Sequence, residues 1–205
     1  MAGNTGFQMG GWYKNEIKSL ADLKGLKIRM PGLGGEVVRR LGAAPITLPP
    51  GEILSSLQTG VIDAAEFLGP SSDFAMGFYK AAKNYYAPGF HEPNGTGEAL
   101  VSLSAYEALD DDLKAIVASA CAAENIRALG ESEWQNASRL KLLTEEKGVS
   151  IKTYPQDIIA AAKGATEEAL DDLASKGELS AEVVASFRGA SRADLRVSLE
   201  RLVRL

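Results

Sequence analysis

The sequence predicts an α/β fold whose second part is mostly helical. Short apolar segments alternate with helical patterns in the first hundred residues, and one helical pattern then runs unbroken over residues 110–147. The order strand, helix, strand, helix, strand is typical of a parallel sheet with helices on its faces. We therefore expect an α/β portion at 1–103. We expect a long helix, one strand and C-terminal helices at 104–205, packing on the same lobe.

The first sixty residues predict two strand–helix units. Their elements are a short helix or turn at 20–24, a strand at 26–30, a helix at 33–41, a strand at 46–48 and a helix at 51–59. Val37, Val38 and Leu41 lie at helical spacing on one face. Gly42 and Gly60 are expected to end the two longer helices.

Residues 61–103 predict three further strands and one helix. The strands lie at 61–67, 85–90 and 99–103, the helix lies at 73–83, and a turn-rich loop at 93–97 separates the last two strands. Helical spacing directs Phe74, Phe78 and one of Ala81 or Ala82 inward.

The remainder of the chain reads as helical scaffold. The long helix at 110–147 has three aspartates in its first turn, which suits the helix dipole, and Gly148 ends it. A strand at 151–154 and helices at 156–176 and 181–205 follow.

Composition excludes several classes of function. The net charge is −5 and the pI is near 5.1, which argues against a surface for nucleic acid, whose phosphates select basic faces. No apolar stretch approaches the roughly 20 residues of a membrane span. Residues 1–12 lack the basic and apolar regions of a signal peptide, so the chain as written is expected to stay in its compartment of synthesis. Cys121 is the single cysteine, and we expect it to pack in the core.

Patterns typical of enzymes are missing from the sequence. His91 is its one histidine, and no serine occurs in a G-x-S-x-G motif. His91 and Glu92 precede Pro93, so this pair does not lie on a helix as zinc-protease ligands do. We expect His91 to hydrogen-bond within a turn, and we expect no catalytic residues.

Arg29 is the strongest candidate for binding a ligand. Leu26, Ile28 and Met30 share one strand face, so Arg29 points to the other, just before a glycine-rich helix start that favours anions. A guanidinium holds a carboxylate through a planar fork of donors. From the residues alone, Arg29 is either a carboxylate clamp or a solvent-facing side chain at a strand end.

Four segments carry a resemblance to a known family. They are GNTGFQMGGW at 3–12, IKSLADLKGLKIRMPG at 17–32, GVIDAAEF at 60–67 and YAPGFHEP at 86–93. Together they resemble the DctP-like substrate-binding subunit of tripartite ATP-independent periplasmic (TRAP) transporters, in the branch that binds 2-oxo and 2-hydroxy monocarboxylates. The resemblance implies a two-lobed α/β fold of the periplasmic-binding-protein type that closes over a small carboxylate and delivers it to a membrane permease.

The resemblance also implies roles for individual residues. Arg29 falls on the carboxylate-binding arginine, and Gln8, Glu66 and the backbone carbonyl of Phe67 fall on positions that hold a cation. Such oxygen ligands suit sodium or calcium, and no catalytic cofactor is implied. The branch usually has tryptophan where Phe67 stands, a change that a carbonyl ligand would survive. Trp12 and Phe67 are expected either as apolar pocket walls or as core residues.

Glu92 is a further candidate to line the pocket, since it lies in the His-Glu-Pro segment. Family members are longer and begin with a signal peptide and an N-terminal lobe, so this chain resembles their C-terminal part with that lobe largely missing. We therefore expect the chain alone to bind monocarboxylates weakly and to dimerise through its C-terminal helices. Two alternatives remain: a helical dimerisation or interaction module from Asp110 onward, and an enzyme on a similar core.

Overall fold

A six-stranded mixed sheet forms the centre of the computed structural model, which describes the backbone of residues 1–203 and the side chains of residues 1–191. Its strands, in spatial order, are β4 (Ala44–Ile46), β3 (Lys27–Arg29), β5 (Ala64–Ala65), β2 (Gly11–Tyr13), β6 (Asn84–Ala87) and β8 (Ser150–Thr153). Two further strands, β1 (Gly3–Phe7) and β7 (Asn94–Gly97), pair with each other antiparallel.

The parallel pairing predicted for the first three strands of the strand–helix alternation is confirmed. β3 pairs in parallel with β4 and with β5, as the strand–helix alternation predicts. β2 runs antiparallel to both of its neighbours, β5 and β6, and so separates the parallel strands β4, β3 and β5 from the parallel pair β6 and β8. β2 begins at Gly11, whose φ of 118° is a conformation that glycine adopts readily, and a Cβ there would lie 2.8 Å from the Ala65 carbonyl oxygen.

The described part of the chain contains seven helices. They are α1 (Gly32–Arg40), α2 (Pro50–Thr59), α3 (Pro70–Met76), α4 (Leu103–Glu107), α5 (Asp111–Glu145), α6 (Gln156–Ala174) and α7 (Glu178–Val203), with 3₁₀ turns at Leu20–Leu23 and Phe78–Lys80. The long helix predicted at 110–147 is confirmed as α5. The helix predicted at 181–205 corresponds to α7, and residues 204–205 lie outside the described residues.

Three predictions between residues 61 and 103 are wrong. The helix predicted at 73–83 stops at Met76, because Gly77 adopts a left-handed conformation with φ 77° and a 3₁₀ turn follows. The strand predicted at 99–103 does not form, and Leu103 begins α4. The segment predicted as a loop at 93–97 contains β7, which exists because β1 lies beside it and supplies the hydrogen bonds. The strand predicted at 61–67 is shorter than expected and is reduced to β5, Ala64–Ala65.

The sheet is buried on both faces. One core cluster joins Ile28 of β3 and the adjoining Met30 to apolar residues of α1 and α6, which confirms the predicted inward face of that strand. The opposite cluster contains Trp12, Tyr85 and residues of α2, and α5 contributes Leu143 to it. Much of the first half of α5 remains exposed, including the large apolar side chains of Leu113, Ile116 and Ile126. Trp134, in the second half of α5, is exposed as well.

A buried carboxylate links the sheet to the segment that follows β5. The Trp12 indole and the Tyr85 hydroxyl both donate to Oδ2 of Asp73, at 2.8 and 2.7 Å, and the Leu68 amide donates to Oδ1 at 3.2 Å. The Trp12 and Tyr85 rings stack at 3.9 Å between centroids. Burial raises the pKa of Asp73 from 3.8 to about 6, although the three hydrogen bonds oppose the shift.

Replacement of Asp73 by asparagine is expected to destabilise the fold. The amide oxygen can still accept from Trp12 and Tyr85, but the amide nitrogen then faces the Leu68 N–H, so one partly buried donor loses its partner. The expected cost is about 1–3 kcal/mol of unfolding free energy. Urea unfolding at pH 7 measures it, and Asp172→Asn is the control, because Asp172 is exposed and pairs with Arg40 at the surface.

The same variant tests the raised pKa. A native pKa above the unfolded one means that the native state binds more protons between about pH 4 and about pH 6. Asp73 therefore contributes stability that is fully present below about pH 4 and is lost as the pH rises through about 6. The stability difference between the parent chain and Asp73→Asn should shrink over that range as pH rises, and a pH-independent difference would contradict the raised pKa.

Candidate functional site

Arg29 lies where the parallel strands β3 and β5 end together. The strand register places Arg29 opposite Ala65, and the Glu66 amide donates to the Arg29 carbonyl at 2.9 Å, so the next residue, Glu66, is held beside it. Nη1 of Arg29 donates to the Glu66 carbonyl oxygen at 2.5 Å and to Oε2 of the Glu66 carboxylate at 3.2 Å. Nε donates to the Leu48 carbonyl at 3.4 Å. The carboxyl ends of strands, where ligands bind in such folds, thus carry a buried ion pair.

The charge of Arg29 is held in a partly apolar setting. Its guanidinium carbon lies 5.7 Å from the centroid of the Phe67 ring, within the range of a cation–π contact. Burial lowers the pKa of Arg29, while the negative charges of Glu66, Asp73 and Glu92 oppose that shift. An arginine remains protonated in this setting, so the site presents a fixed positive charge to an incoming anion.

His91 and Glu92 meet Glu66 from the other side. Nε2 of His91 lies 3.3 Å from Oε1 of Glu66, without the alignment of a hydrogen bond, and neither ring nitrogen has a hydrogen-bond partner among the described residues. The expectation that His91 hydrogen-bonds within a turn is therefore wrong. The imidazole lies against Gly34 of α1, since a Cβ on that glycine would lie 3.4 Å from the imidazole.

Gln8 is tied by its backbone to both sides of this region. Its amide donates to the Pro93 carbonyl at 3.0 Å, and the next amide, of Met9, donates to the Leu68 carbonyl at 3.0 Å. Gln8 is therefore anchored near the segment that contains Phe67. Its side chain is buried, and its Oε1 has no hydrogen-bond partner among the described residues. A buried carbonyl oxygen without a donor suits a cation ligand.

The structure brings most of the predicted site residues together. Arg29, Glu66, Phe67 and Glu92 surround the strand ends, and Gln8 is anchored nearby. Trp12, expected either as a wall or as a core residue, lies in the core with no exposed surface.

Sequence reasoning did not assign His91 to the site. The signal that could have found it is its position next to Glu92 in the segment 86–93.

A cleft of about 560 Å³ opens beside His91 and Glu92. Its other walls are mostly apolar and come from α1, α6 and α7, and they include Leu33, Val37, Leu170 and Phe187.

None of the helices in the described part of the chain combines the length and apolar character that a bilayer-spanning segment needs.

Known proteins are similar to this chain over most of its length. The family model for DctP, bacterial extracellular solute-binding protein family 7, matches residues 1–176. A monocarboxylate 2-oxoacid-binding periplasmic protein of Nostoc sp. is 44% identical over 175 residues, which cover 85% of this chain and 48% of that protein.

Two solved TRAP periplasmic solute-binding proteins share the fold, and each is 36% identical to this chain. The protein of Colwellia psychrerythraea, with bound calcium and pyruvate, has a TM-score of 0.83, and the match covers 98% of this chain and 63% of that one. The protein of Pseudoalteromonas atlantica, with bound sodium and pyruvate, has a TM-score of 0.78, with 97% and 63% covered.

The chain thus spans about half the length of its curated relative and under two thirds of these solved structures. The α/β fold and the TRAP-type resemblance expected from the sequence are confirmed. Because the family model extends over far more than half of the residues, the chain belongs to family 7 of the bacterial extracellular solute-binding proteins, the DctP family.

Proposed function

We propose that this chain is the part of a TRAP-type periplasmic solute-binding protein that holds the carboxylate of a small 2-oxo or 2-hydroxy monocarboxylate, such as pyruvate or lactate. One observation carries the proposal: a buried arginine, paired with Glu66, stands at the shared carboxyl end of β3 and β5. Binding delivers the acid to membrane permease subunits in the periplasm and involves no catalysis. The Nostoc relative and the two pyruvate-bound structures support this class of ligand.

Arg29 acts as the carboxylate clamp with only part of its guanidinium free. Both hydrogen bonds of Nη1 go to Glu66, and Nη2 makes none within the described residues. The sequence led us to expect a whole fork facing the ligand. The contacts instead support a ligand carboxylate that binds Nη2 and competes with Glu66 for Nη1. Phe67 and Glu92 line the same region, and Phe67 is the apolar wall.

A cation bound by oxygen atoms accompanies the ligand in this proposal. Oε1 of Gln8, the carboxylate of Glu66 and the carbonyl of Phe67 are hard ligands, which suit sodium or calcium. The unpaired Gln8 oxygen supports the assignment, because a buried acceptor without a donor is costly unless something binds it. The ion supplies positive charge next to the ligand carboxylate. Calcium and sodium both occur in similar proteins, so the same ligand set serves either ion.

A second role, as an interaction module, is favoured by one specific observation. Ile116, Ile126 and Trp134 expose large apolar surfaces on α5, and such surfaces mark contacts with other protein segments. We propose that the helices from α5 onward pack against other protein segments, including a second copy of the chain. Light scattering at several concentrations tests the dimer, and a mass that stays monomeric throughout would exclude it.

Arg29→Lys is expected to weaken pyruvate binding at least tenfold. Lysine keeps the charge but loses the planar donors, and a hydrogen bond to a charged group is worth roughly 1.5–3 kcal/mol. Titration calorimetry with pyruvate measures the loss, on the chain and on a chimera that carries the N-terminal lobe of the Nostoc relative. Arg39→Lys is the matched control, since Arg39 is exposed on α1. Equal affinities for the parent and Arg29→Lys would refute the clamp.

Gln8→Leu is expected to remove the cation dependence of pyruvate binding. Chelation of calcium and replacement of sodium by a larger cation should weaken binding by the parent chimera, and Glu66→Gln should mimic this. In ion-free buffer Gln8→Leu should be as stable as the parent or more stable, because it removes a buried acceptor without a partner. Added calcium should then raise the melting temperature of the parent but not of Gln8→Leu.

Gln58→Leu, on the exposed face of α2, is the control for that experiment. The cation site is wrong if calcium and sodium leave both the melting temperature and the pyruvate affinity of the parent unchanged.

A further inference from the structure

Three side chains that could ligate a metal converge at one end of the sheet. One potential ligand atom from each of Glu66, His91 and Glu92 lies within 4.8 Å of the other two. We propose that these side chains bind a divalent transition-metal ion, with zinc as the expected occupant. This site differs from the oxygen-only set of Gln8, Glu66 and Phe67, and it does not depend on the binding of a carboxylate.

The imidazole of His91 is the observation that points to a metal. Its side chain is 3% exposed, and both of its nitrogens lack hydrogen-bond partners among residues 1–191. A buried imidazole is normally held by a donor or an acceptor, because an unpaired polar group in the interior is unfavourable. Nε2 instead faces the carboxylate of Glu66 without hydrogen-bond alignment.

The spacing of these two ligand atoms suits an ion between them. Zinc binds histidine nitrogen and carboxylate oxygen at about 2.0–2.2 Å in tetrahedral geometry, so two such ligands are separated by roughly 3.3–3.5 Å. Nε2 of His91 and Oε1 of Glu66 are 3.3 Å apart. The Glu92 side chain is exposed and can rotate to bring its carboxylate to the same centre.

The first two ligands are held in place by their surroundings. Arg29 binds the other carboxylate oxygen of Glu66 at 3.2 Å, which leaves Oε1 directed at His91. The imidazole packs against α1 at Gly34, and the Phe90 ring meets it edge-on at 5.6 Å between centroids. Groups that orient a ligand in this way strengthen a metal site.

Ligand chemistry separates this site from the sodium or calcium site. An imidazole nitrogen favours zinc, copper, nickel or iron, whereas sodium and calcium take oxygens. Two carboxylates beside the single charge of Arg29 leave a net charge of about −1, which attracts a dication. The cleft of about 560 Å³ lined by His91 and Glu92 provides a path for the ion and room for a water as fourth ligand.

Zinc binding to the tag-free chain tests the proposal. Every protein carries Cys121→Ser, so that the lone thiol cannot act as a ligand. Equilibrium dialysis with elemental analysis should find one zinc ion per chain, and calorimetry should show at least tenfold weaker affinity for His91→Gln and for Glu92→Gln. Cobalt in place of zinc should give visible absorption bands that both variants lose. Glu98→Gln, an exposed control, should bind zinc like the parent.

Two results would overturn the site: no zinc binding by the Cys121→Ser chain, or affinity unchanged in both His91→Gln and Glu92→Gln. Because Glu92 is exposed, its variant will fold even if the His91 variant does not, and thermal unfolding checks both.

The zinc site and the proposed carboxylate function are tested by separate measurements. Gln8→Leu should abolish calcium-dependent pyruvate binding and leave zinc affinity unchanged. Zinc binding without calcium-dependent pyruvate binding would support the zinc site alone, and calcium-dependent pyruvate binding without zinc binding would support the carboxylate function alone.

Discussion

The buried ion pair between Arg29 and Glu66 is the interaction on which the site depends. Both side chains are nearly inaccessible to water, so each needs the other, because removing one partner leaves an unpaired buried charge. The pair also fixes geometry. Arg29 holds both the carbonyl and the carboxylate of Glu66 and so joins the ends of β3 and β5. A ligand that binds Arg29 must therefore share the guanidinium with Glu66, which couples carboxylate binding to whatever else Glu66 contacts.

Glu66 has two carboxylate oxygens and several competing partners. Oε2 faces Arg29, while Oε1 faces His91. An ion bound by Glu66 and Gln8 has oxygen ligands only, whereas an ion bound by Glu66 and His91 also has a nitrogen ligand. The preference of the ion for oxygen or nitrogen therefore determines which of these two neighbours of Glu66 it binds. The two proposed ion positions share this residue, and occupancy of either one changes the charge that Arg29 and its ligand meet.

The sequence predicts the parts of the fold that have periodic patterns. The apolar alternation at Ile28 and Met30 correctly places Arg29 on the opposite face of β3, and the long helical period correctly yields α5. β1, β2 and β7 were not predicted, because these glycine-rich segments lack such alternation and form strands only through their partners. The site shows the same division. Arg29 stands out from local pattern, Gln8 and Glu66 came from family resemblance alone, and the burial of His91 depends on how the loop 88–93 crosses the strand ends.

The surroundings of Phe67 explain why the proposed backbone ligand tolerates a change of side chain. The Glu66 carbonyl accepts from Nη1 of Arg29, and the Leu68 amide donates to Asp73. The peptide units on both sides of Phe67 are thus held by hydrogen bonds that do not involve its ring. The carbonyl is oriented by β5 and by the buried Asp73 network, whichever aromatic residue stands there. The Phe67 ring takes no part in these hydrogen bonds and lies beside the guanidinium of Arg29. It forms a partly apolar wall next to the positive charge, and this apolar surrounding strengthens the attraction of Arg29 for a carboxylate.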